Sequence, residues 1–392
     1  MKVKSIKSVY FCNTLTHFRG SMGDLTLIIL SAGSSSRFGQ DVKKQWLYID
    51  DKPLWKSVAD RFKNDFNFKK IIITTTKEEF SYISGFGTYT YVVGGESRQA
   101  SLKNALSEVD TKYVMVTDVA RACIPHEMIQ ELIDNKEKAD VIVPVLEVSD
   151  TVIYKNETID REKVKLIQTP QLSCTKILKK SLESETLYTD DSSAIKADGG
   201  SVFYTKGSIL AKKITFIADL RELQCLTQPK EIFLIGHGYD VHKFCMDKKM
   251  FLCGVLIESK YGLEAHSDGD VAIHALIDSL LGAIGAGDIG ELFPDSSDEF
   301  KDIDSKILLL NVARFVRSVG YEIVNCDITI QAETPKLFKY KAKMREVLAD
   351  ILGLEPIRVN VKATTTEKLG FVGKEEGIAV DAISQVKLYN WK

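Results

Sequence analysis

The sequence predicts an α/β chain of two unlike units, a doubly wound, mostly parallel sheet followed by a smaller α+β layer. Three observations carry this reading. The chain has 392 residues, more than one core usually fills. From Leu25 onward, strand-sized apolar runs alternate with segments of helical spacing. Near RELQCLTQPKEI (221–232) the composition turns polar and a proline appears before a new apolar run starts. We therefore divide the chain into an N-terminal extension (1–23), a first domain (24–230) and a second domain (231–392).

In the first domain LTLIIL (25–30), KKIIITTT (69–76), YTYVVGG (89–95), KYVMVTD (112–118) and ADVIVPVLE (139–147) read as strands. They are rich in β-branched residues and bounded by Gly, Asp or Pro. Segments such as SRQASLKNALSEV between them have helical spacing, which gives the βαβ rhythm of a parallel sheet. The second domain opens with EIFLIGHGYDVH. Helices follow at VAIHALIDSLLGAIG (271–285), SKILLLNVARFVRSVG (305–320) and KAKMREVLADILG (341–353), with strands at NCDITIQAE (325–333) and IRVNVKATTT (357–366). No internal repeat relates the two units.

Composition excludes several classes. Lys+Arg 52 against Asp+Glu 54 leaves a net charge of -2, so no basic field points to nucleic acid or an anionic membrane. No apolar run is long enough to span a bilayer. Residues 1–22 are mildly basic without a long apolar core, unlike a signal peptide. They read as a disordered extension, or as sequence upstream of a working start at Met22. Seven cysteines without a C-x-x-C pair fit a reducing cytoplasm, mostly as small buried hydrophobes.

The first strand runs into SAGSSSRFG (31–39) and then KKQW (43–46). Such a turn offers backbone N–H groups to phosphate oxygens. It is neither a P-loop nor G-x-G-x-x-G. Arg37 and Lys44 are placed to neutralise a triphosphate, although two solvated cations on a surface loop would look the same. GGESRQAS (94–101) is a second glycine turn at a strand end. VTDVAR (116–121) sets Asp118 at the carboxyl end of a strand, where open α/β sheets bind ligands. There it holds a cation or a ribose, or simply caps a turn.

These motifs, with SDTV (149–152), QTPQ (168–171) and KKIT (212–215), resemble the 2-C-methyl-D-erythritol 4-phosphate cytidylyltransferases over most of residues 25–220. The resemblance implies a Rossmann-like nucleotidyltransferase sheet, with some acceptor contacts made across a dimer interface. By it, Arg37 and Lys44 grip the CTP phosphates, and Ala32, Gly33, Gly95, Glu96 and Ser101 hold cytosine and ribose. Asp118 coordinates Mg²⁺ or Mn²⁺, while Arg121, Thr151, Arg161, Thr169 and Lys213 contact methylerythritol phosphate. Two departures stand out. The family pattern V-H-D-A-A-R-P is Val116-Thr117-Asp118-Val119-Ala120-Arg121-Ala122 here, and Lys43 replaces a common proline.

Four of six histidines fall between residues 237 and 274. Asp240 and His242 share a strand face, and His274 lies in an apolar helix. Two ligands from a strand and one from a helix leave a fourth corner open, the pattern of catalytic zinc, with Mn²⁺ or Co²⁺ not excluded by ligand type. The plainer reading of His274 is a packed core residue. AHSDGD (265–270) adds His266 and Ser267, with Asp268 or Asp270 as a helix cap. GAGDIGELFPD (285–295) supplies Asp288, and KATTTEKLGF (362–371) ends a strand with three threonines and Glu367.

This ordered set, with ETPK (333–336), resembles 2-C-methyl-D-erythritol 2,4-cyclodiphosphate synthase over most of residues 233–390. The resemblance implies Zn²⁺ on Asp240, His242 and His274, and Mg²⁺ or Mn²⁺ on Glu367. His266, Ser267 and Thr365 would contact phosphates, Asp288 the methylerythritol hydroxyls, and Ala332 to Leu337 with Lys336 the cytidine. Lys374 stands where an arginine is common, keeping charge but losing the bidentate fork. It also implies a homotrimer with sites between subunits. Together the two halves imply a cytoplasmic, bifunctional enzyme of the non-mevalonate isoprenoid pathway. The kinase step between the two reactions has no candidate segment, so channelling does not follow from the fusion. The alternatives are a nucleotidyltransferase for another polyol phosphate, or a half that only binds cytidine nucleotides.

Overall fold

The structure is a computed structural model describing residues 23–246, 248–265, 267–293 and 303–392. Three expectations lie outside the described residues: the extension over 1–22, His266, and Pro294–Asp295 of the GDIGELFPD motif.

Eight strands build the first sheet: β1 (Leu25–Leu30), β2 (Lys70–Thr75), β3 (Thr90–Val93), β4 (Tyr113–Asp118), β5 (Val141–Glu147), β6 (Lys165–Ile167), β7 (Gln171–Cys174) and β8 (Val202–Lys206). Their order is β6-β5-β7-β4-β1-β2-β3, with β8 also on β5. Strands β3, β2, β1 and β4 are parallel, and the register pairs Leu30 with Asp118. The chain leaving β1 therefore starts its loop beside that aspartate. The sheet is more mixed than expected, because β7 is antiparallel to both β4 and β5. Strand β6 is antiparallel to β5 as well, and the chain runs on from β6 to β7 in that direction. Between β5 and β6 there is no crossover helix, without which a strand does not return in parallel. Strands β6, β7 and β8 escaped the sequence reading because they are short and half polar.

Alternation along the central strands fills both faces. Leu27, Ile29, Ile73 and Met115 pack on one side, and Ile28, Leu30, Ile72, Val114 and Val116 on the other, against helix α1 (Arg98–Ser107). Covering both faces makes these strands continuous apolar runs.

The second sheet contains β9 (Phe233–Cys245), β10 (Gly262–Leu263), β11 (Tyr321–Gln331), β12 (Val359–Thr364) and β13 (Gly377–Leu388), in the order β10-β9-β13-β11-β12. Helices α2 (Val271–Ile284), α3 (Ser305–Ser318) and α4 (Lys341–Leu352) accompany it. Even-numbered residues of β9 face α2. A Cβ at Gly236 would lie 1.9 Å from Ser279 O, and one at Gly238 2.0 Å from Ala275 O. The two glycines let the helix lie directly on the strand. On the opposite face Phe233, Ile235, Tyr239, Val241 and Ile383 are exposed.

The boundary stretch is tied down. Asp50 N donates to Gln228 O at 3.2 Å, and Lys230 N to Asp50 O at 2.8 Å. One apolar core runs through both units, with Trp46, Tyr82, Phe315 and Tyr321 in it. Cys123 and Cys225 are joined as a disulfide across 102 residues, where separate thiols were expected. The fold brings the loop after β4 against the last turn of the first unit, which no spacing rule in the sequence announces. Cys253 and Cys326 fit the buried-hydrophobe expectation.

Candidate active sites

The first site grows from the carboxyl ends of β1, β2 and β4. Ser31 N donates to Thr74 Oγ1 at 2.9 Å, turning the chain out of β1. Ser35 adopts φ 57, and its Oγ accepts from Lys44 N at 2.9 Å and donates to Gln45 Oε1 at 3.3 Å. Gln45 Nε2 returns to Gly33 O at 3.2 Å. The loop thus closes on itself, with Lys44 at its far limb. Opposite it, Gly95 N donates to Ser101 Oγ at 3.1 Å, and a Cβ on Gly94 would strike that of Ala32 at 2.5 Å.

A cavity of about 520 Å³ results, lined by Ala32, Gly33, Arg37, Lys44, Gly95, Glu96, Ser101, Asp118 and Lys213, among others. Lys44 Nζ donates to Ile214 O at 3.1 Å. Burial, then Lys213 and Arg37, push its pKa below that of a free lysine. Arg37, Lys44, Arg98 and Lys213 line the cavity against the carboxylates of Glu96 and Asp118. Burial alone would raise the pKa of Asp118, but Arg98 and Lys213 hold it below the usual carboxylate range. Lys213 Nζ lies 2.6 Å and Arg98 Nε 3.4 Å from its oxygens.

Four expected residues do not line this cavity. Thr169 Oγ1 accepts from Asp118 N at 3.3 Å, directly behind the site. Arg121 donates to Ala211 O. Thr151 and Arg161 flank an exposed hairpin (Val152–Tyr154 with Glu157–Ile159), where Arg161 donates to Ser149 O. Sequence reasoning missed Arg98 and its buried partner Asp191, 2.8 Å apart. Arg98 stands in the GGESRQAS motif, but Asp191 looks like any helix-starting aspartate in TDDSS.

In the second site β9 and α2 bring Asp240, His242 and His274 together. Asp240 Oδ2 lies 3.1 Å from His242 Nε2 and 3.3 Å from His274 Nδ1. One ligand atom from each falls within 4.8 Å of the others. Ligands at about 2.0–2.1 Å from a tetrahedral centre sit roughly 3.3 Å apart, so this spacing fits a divalent ion. His242 Nδ1 faces Gly269 O at 3.1 Å, which must carry its proton there and frees Nε2. His274 Nε2 lies 3.1 Å from both Ser267 Oγ and Ser305 Oγ, and Ser305 Oγ donates to Asp268 at 2.5 Å. Burial alone would raise Asp240, but the two imidazoles hold it below the usual range. Asp270 caps α2, accepting from Ile273 N at 3.1 Å.

Asp278, one turn beyond His274, accepts from Ile289 N at 2.8 Å and so holds the Asp288 loop against α2. Its pKa is raised, first by burial and then by Asp288 and Asp240. An aspartate four residues after a histidine in an apolar helix was the missed signal. A second cluster sits at the end of β12: Thr365 Oγ1 donates to Glu367 Oε1 at 2.9 Å, and Ala332 N to Thr364 O at 3.0 Å. Glu333 accepts from Thr366 N and Lys368 N, in the segment leading to Lys336 and Leu337. Lys374 is exposed after a short turn of helix. Among the described residues no hydrogen bond or ion pair links this cluster to the Asp240 group. His237, on the outer face, pairs with Asp381 at 3.0 Å.

Comparison with known proteins matches both units. The family model described as 2-C-methyl-D-erythritol 4-phosphate cytidylyltransferase covers residues 25–228, and that of the YgbB family covers 233–387. The bifunctional enzyme IspD/IspF of Aliarcobacter butzleri is 52% identical over 372 residues, 95% of this chain and 100% of the relative. The corresponding enzyme of Sulfurovum sp. is 52% identical over 371 residues, with the same coverage. The solved bifunctional IspDF of Campylobacter jejuni superposes with a TM-score of 0.84 at 45% identity, over 94% of this chain and 99% of that one. With both units matched in order and nearly end to end, the chain belongs to the bifunctional IspD/IspF enzymes, a cytidylyltransferase and a cyclodiphosphate synthase of isoprenoid biosynthesis in one polypeptide.

Proposed function

We propose that residues 24–230 transfer CMP from CTP to 2-C-methyl-D-erythritol 4-phosphate, releasing pyrophosphate. Residues 231–392 cyclise 4-diphosphocytidyl-2-C-methyl-D-erythritol 2-phosphate to the 2,4-cyclodiphosphate, releasing CMP. The observation that carries this is the presence in one chain of a cationic cavity at parallel strand ends and an open Asp/His/His group.

In the first reaction the acceptor's phosphate oxygen is already ionised, so no protein base is needed. It attacks the α-phosphorus of CTP, and the bond to the bridging oxygen of pyrophosphate breaks. Arg37 and Lys44 stabilise charge on the transferring phosphate, and backbone at Ala32, Gly33, Gly95 and Glu96, with Ser101, holds the nucleoside. Asp118 holds Mg²⁺ or Mn²⁺ that comes with the phosphates, since one carboxylate suffices for such an ion. Arg98 and Lys213 are the counter-charges that keep Asp118 ionised. Arg121 and Thr169 lie around that aspartate, and Thr151 and Arg161 reach the acceptor from a partner's exposed hairpin.

In the second reaction Asp240, His242 and His274 hold Zn²⁺ or a similar ion, which withdraws charge from a phosphate oxygen when bound. Glu367 would hold a second divalent cation, which would offset phosphate charge. The 2-phosphate oxygen attacks the β-phosphorus, and CMP leaves with the bonding pair. His266, Ser267 and Thr365 steady the phosphates, Asp288 the diol, Ala332 to Leu337 the cytidine, and Lys374 adds charge at the edge. The exposed apolar face of β9 and the separation of the Glu367 cluster from the Asp240 group within one chain support a trimer with sites between subunits. The separate dimer through the first domain and the cytoplasmic location belong to the same reading. Among the described residues no helix is long and apolar enough to cross a membrane.

The test is to incubate the protein with CTP, Mg²⁺ and a panel of polyol phosphates while measuring pyrophosphate. Methylerythritol phosphate gives the highest kcat/KM. A higher value with ribitol phosphate would overturn the assignment of the acceptor.

A further inference from the structure

The loop that carries Lys44 is only partly held by its own unit. Inside the first unit it is fixed by Ser35, Gln45 and an ion pair of Lys43 Nζ with buried Glu79 at 2.5 Å. Its other anchors come from the second unit. Lys43 N, the amide immediately before Lys44, donates to Ser318 O at 3.0 Å. Two residues after Lys44, the carbonyl of Trp46 faces Gly320, where a Cβ would lie 2.3 Å from it and φ is +97. Tyr389 OH donates to Gln40 Oε1 at 2.8 Å, and the indole of Trp391 to Tyr48 O at 2.8 Å. Beneath them the Tyr321 hydroxyl meets that of Tyr48 at 2.6 Å and that of Tyr82 at 3.3 Å, all three rings being buried.

We propose that the second unit is a working part of the cytidylyl-transfer site: its turn at 317–321 and its segment at 389–391 set the position of the loop bearing Lys44. The physical argument is one of leverage. Lys44 sits in a three-residue 3-10 turn, and short turns of this kind have poor hydrogen-bond geometry of their own. Both flanks of that turn are pinned to backbone or to a buried ring of the second unit. A displacement of about 1 Å at a charged group contacting phosphate is enough to lose up to 10²-fold in rate. Tyr321, Tyr389 and Trp391 act through the loop and never touch substrate, so they are positioning residues.

The inference rests on the CTP-dependent reading of the first unit, and the controls keep the two apart. Failure of the unsubstituted protein to release pyrophosphate from CTP refutes that reading, whatever the variants do. In the full chain, Trp391→Ala raises the KM for CTP about tenfold or more. Its kcat for CMP release in cyclisation stays within about twofold of the parent, a change under about 0.4 kcal/mol. Trp391→Phe, which keeps an aromatic ring in place but loses the indole donor and part of the ring volume, recovers part of the CTP KM. Unchanged CTP kinetics in Trp391→Ala overturns the proposal. Should both activities of Trp391→Ala fall together, Tyr321→Phe decides, since it removes a single oxygen. A selective rise in CTP KM upholds the proposal, and equal or absent effects on the two reactions overturn it.

Discussion

At Lys44, burial and two neighbouring cations lower the ammonium pKa from its ordinary 10.5, so the charge is lost from the alkaline side. A lysine whose pKa is depressed is protonated below that value and neutral above it. If its charge stabilises the transferring phosphate, kcat/KM for CTP falls with rising pH before pH 10.5 is reached. Lys44→Arg moves that limb upward, because a guanidinium stays charged. Lys44→Ala loses about 10²–10³-fold and no longer shows the limb. At the other site, His242→Ala abolishes CMP release and metal retention while pyrophosphate release persists, measured on one preparation with elemental analysis. Lys44 and Asp118 were legible because their motifs follow or end a strand, and His242 because it alternates with Asp240 along one strand face. Arg98 with Asp191 was not, because two residues 93 positions apart form one partly buried pair only when α1 and a later helix meet.

On the element scale, the metal-type triad depends on how closely α2 approaches β9. Gly236 and Gly238 share the strand face of Asp240 and His242, and their missing side chains admit the helix that carries His274. Gly238→Ala places a methyl carbon 2.0 Å from Ala275 O. Overpacking of this kind destabilises by about 1–3 kcal/mol. We expect cyclisation and metal affinity to drop together, read by thermal unfolding and metal titration, with cytidylyl transfer retained. The strand GHGYDVH was evident from its apolar lead and alternating pattern, but the reason for its glycines needed the helix. The long strand β13 was overlooked because its charged residues interrupt the run. Only its pairing with both β9 and β11 shows it to be the centre of the second sheet.

For the whole molecule, the two candidate sites lie on separate sheets, and on the proposed function they draw on different cations. A strong chelator followed by excess Mg²⁺ restores pyrophosphate release but not cyclisation, and Zn²⁺ then restores the latter. Recovery of both with Mg²⁺ alone would refute the assignment of the triad to a tightly held ion. Such separation is compatible with mechanical dependence, since His242 lies far in sequence from the segments that brace the Lys44 loop. The two-unit plan was readable from composition and motif order. The continuous core between the units was not, because Trp46, Tyr82 and Phe315 are ordinary apolar residues until they meet.

The Cys123–Cys225 link encloses Thr151, Arg161, Thr169 and Lys213 within one covalent ring, and the exposed hairpin at Val152–Ile159 belongs to the same ring. A protease that nicks this hairpin cuts the ring without releasing a fragment. On a denaturing gel the nicked chain migrates as one species until reductant is added, then as two. In a thiol-rich compartment the same cut separates the pieces as soon as the chain unfolds. Gel mobility with and without reductant therefore reports the oxidation state in which the enzyme was isolated.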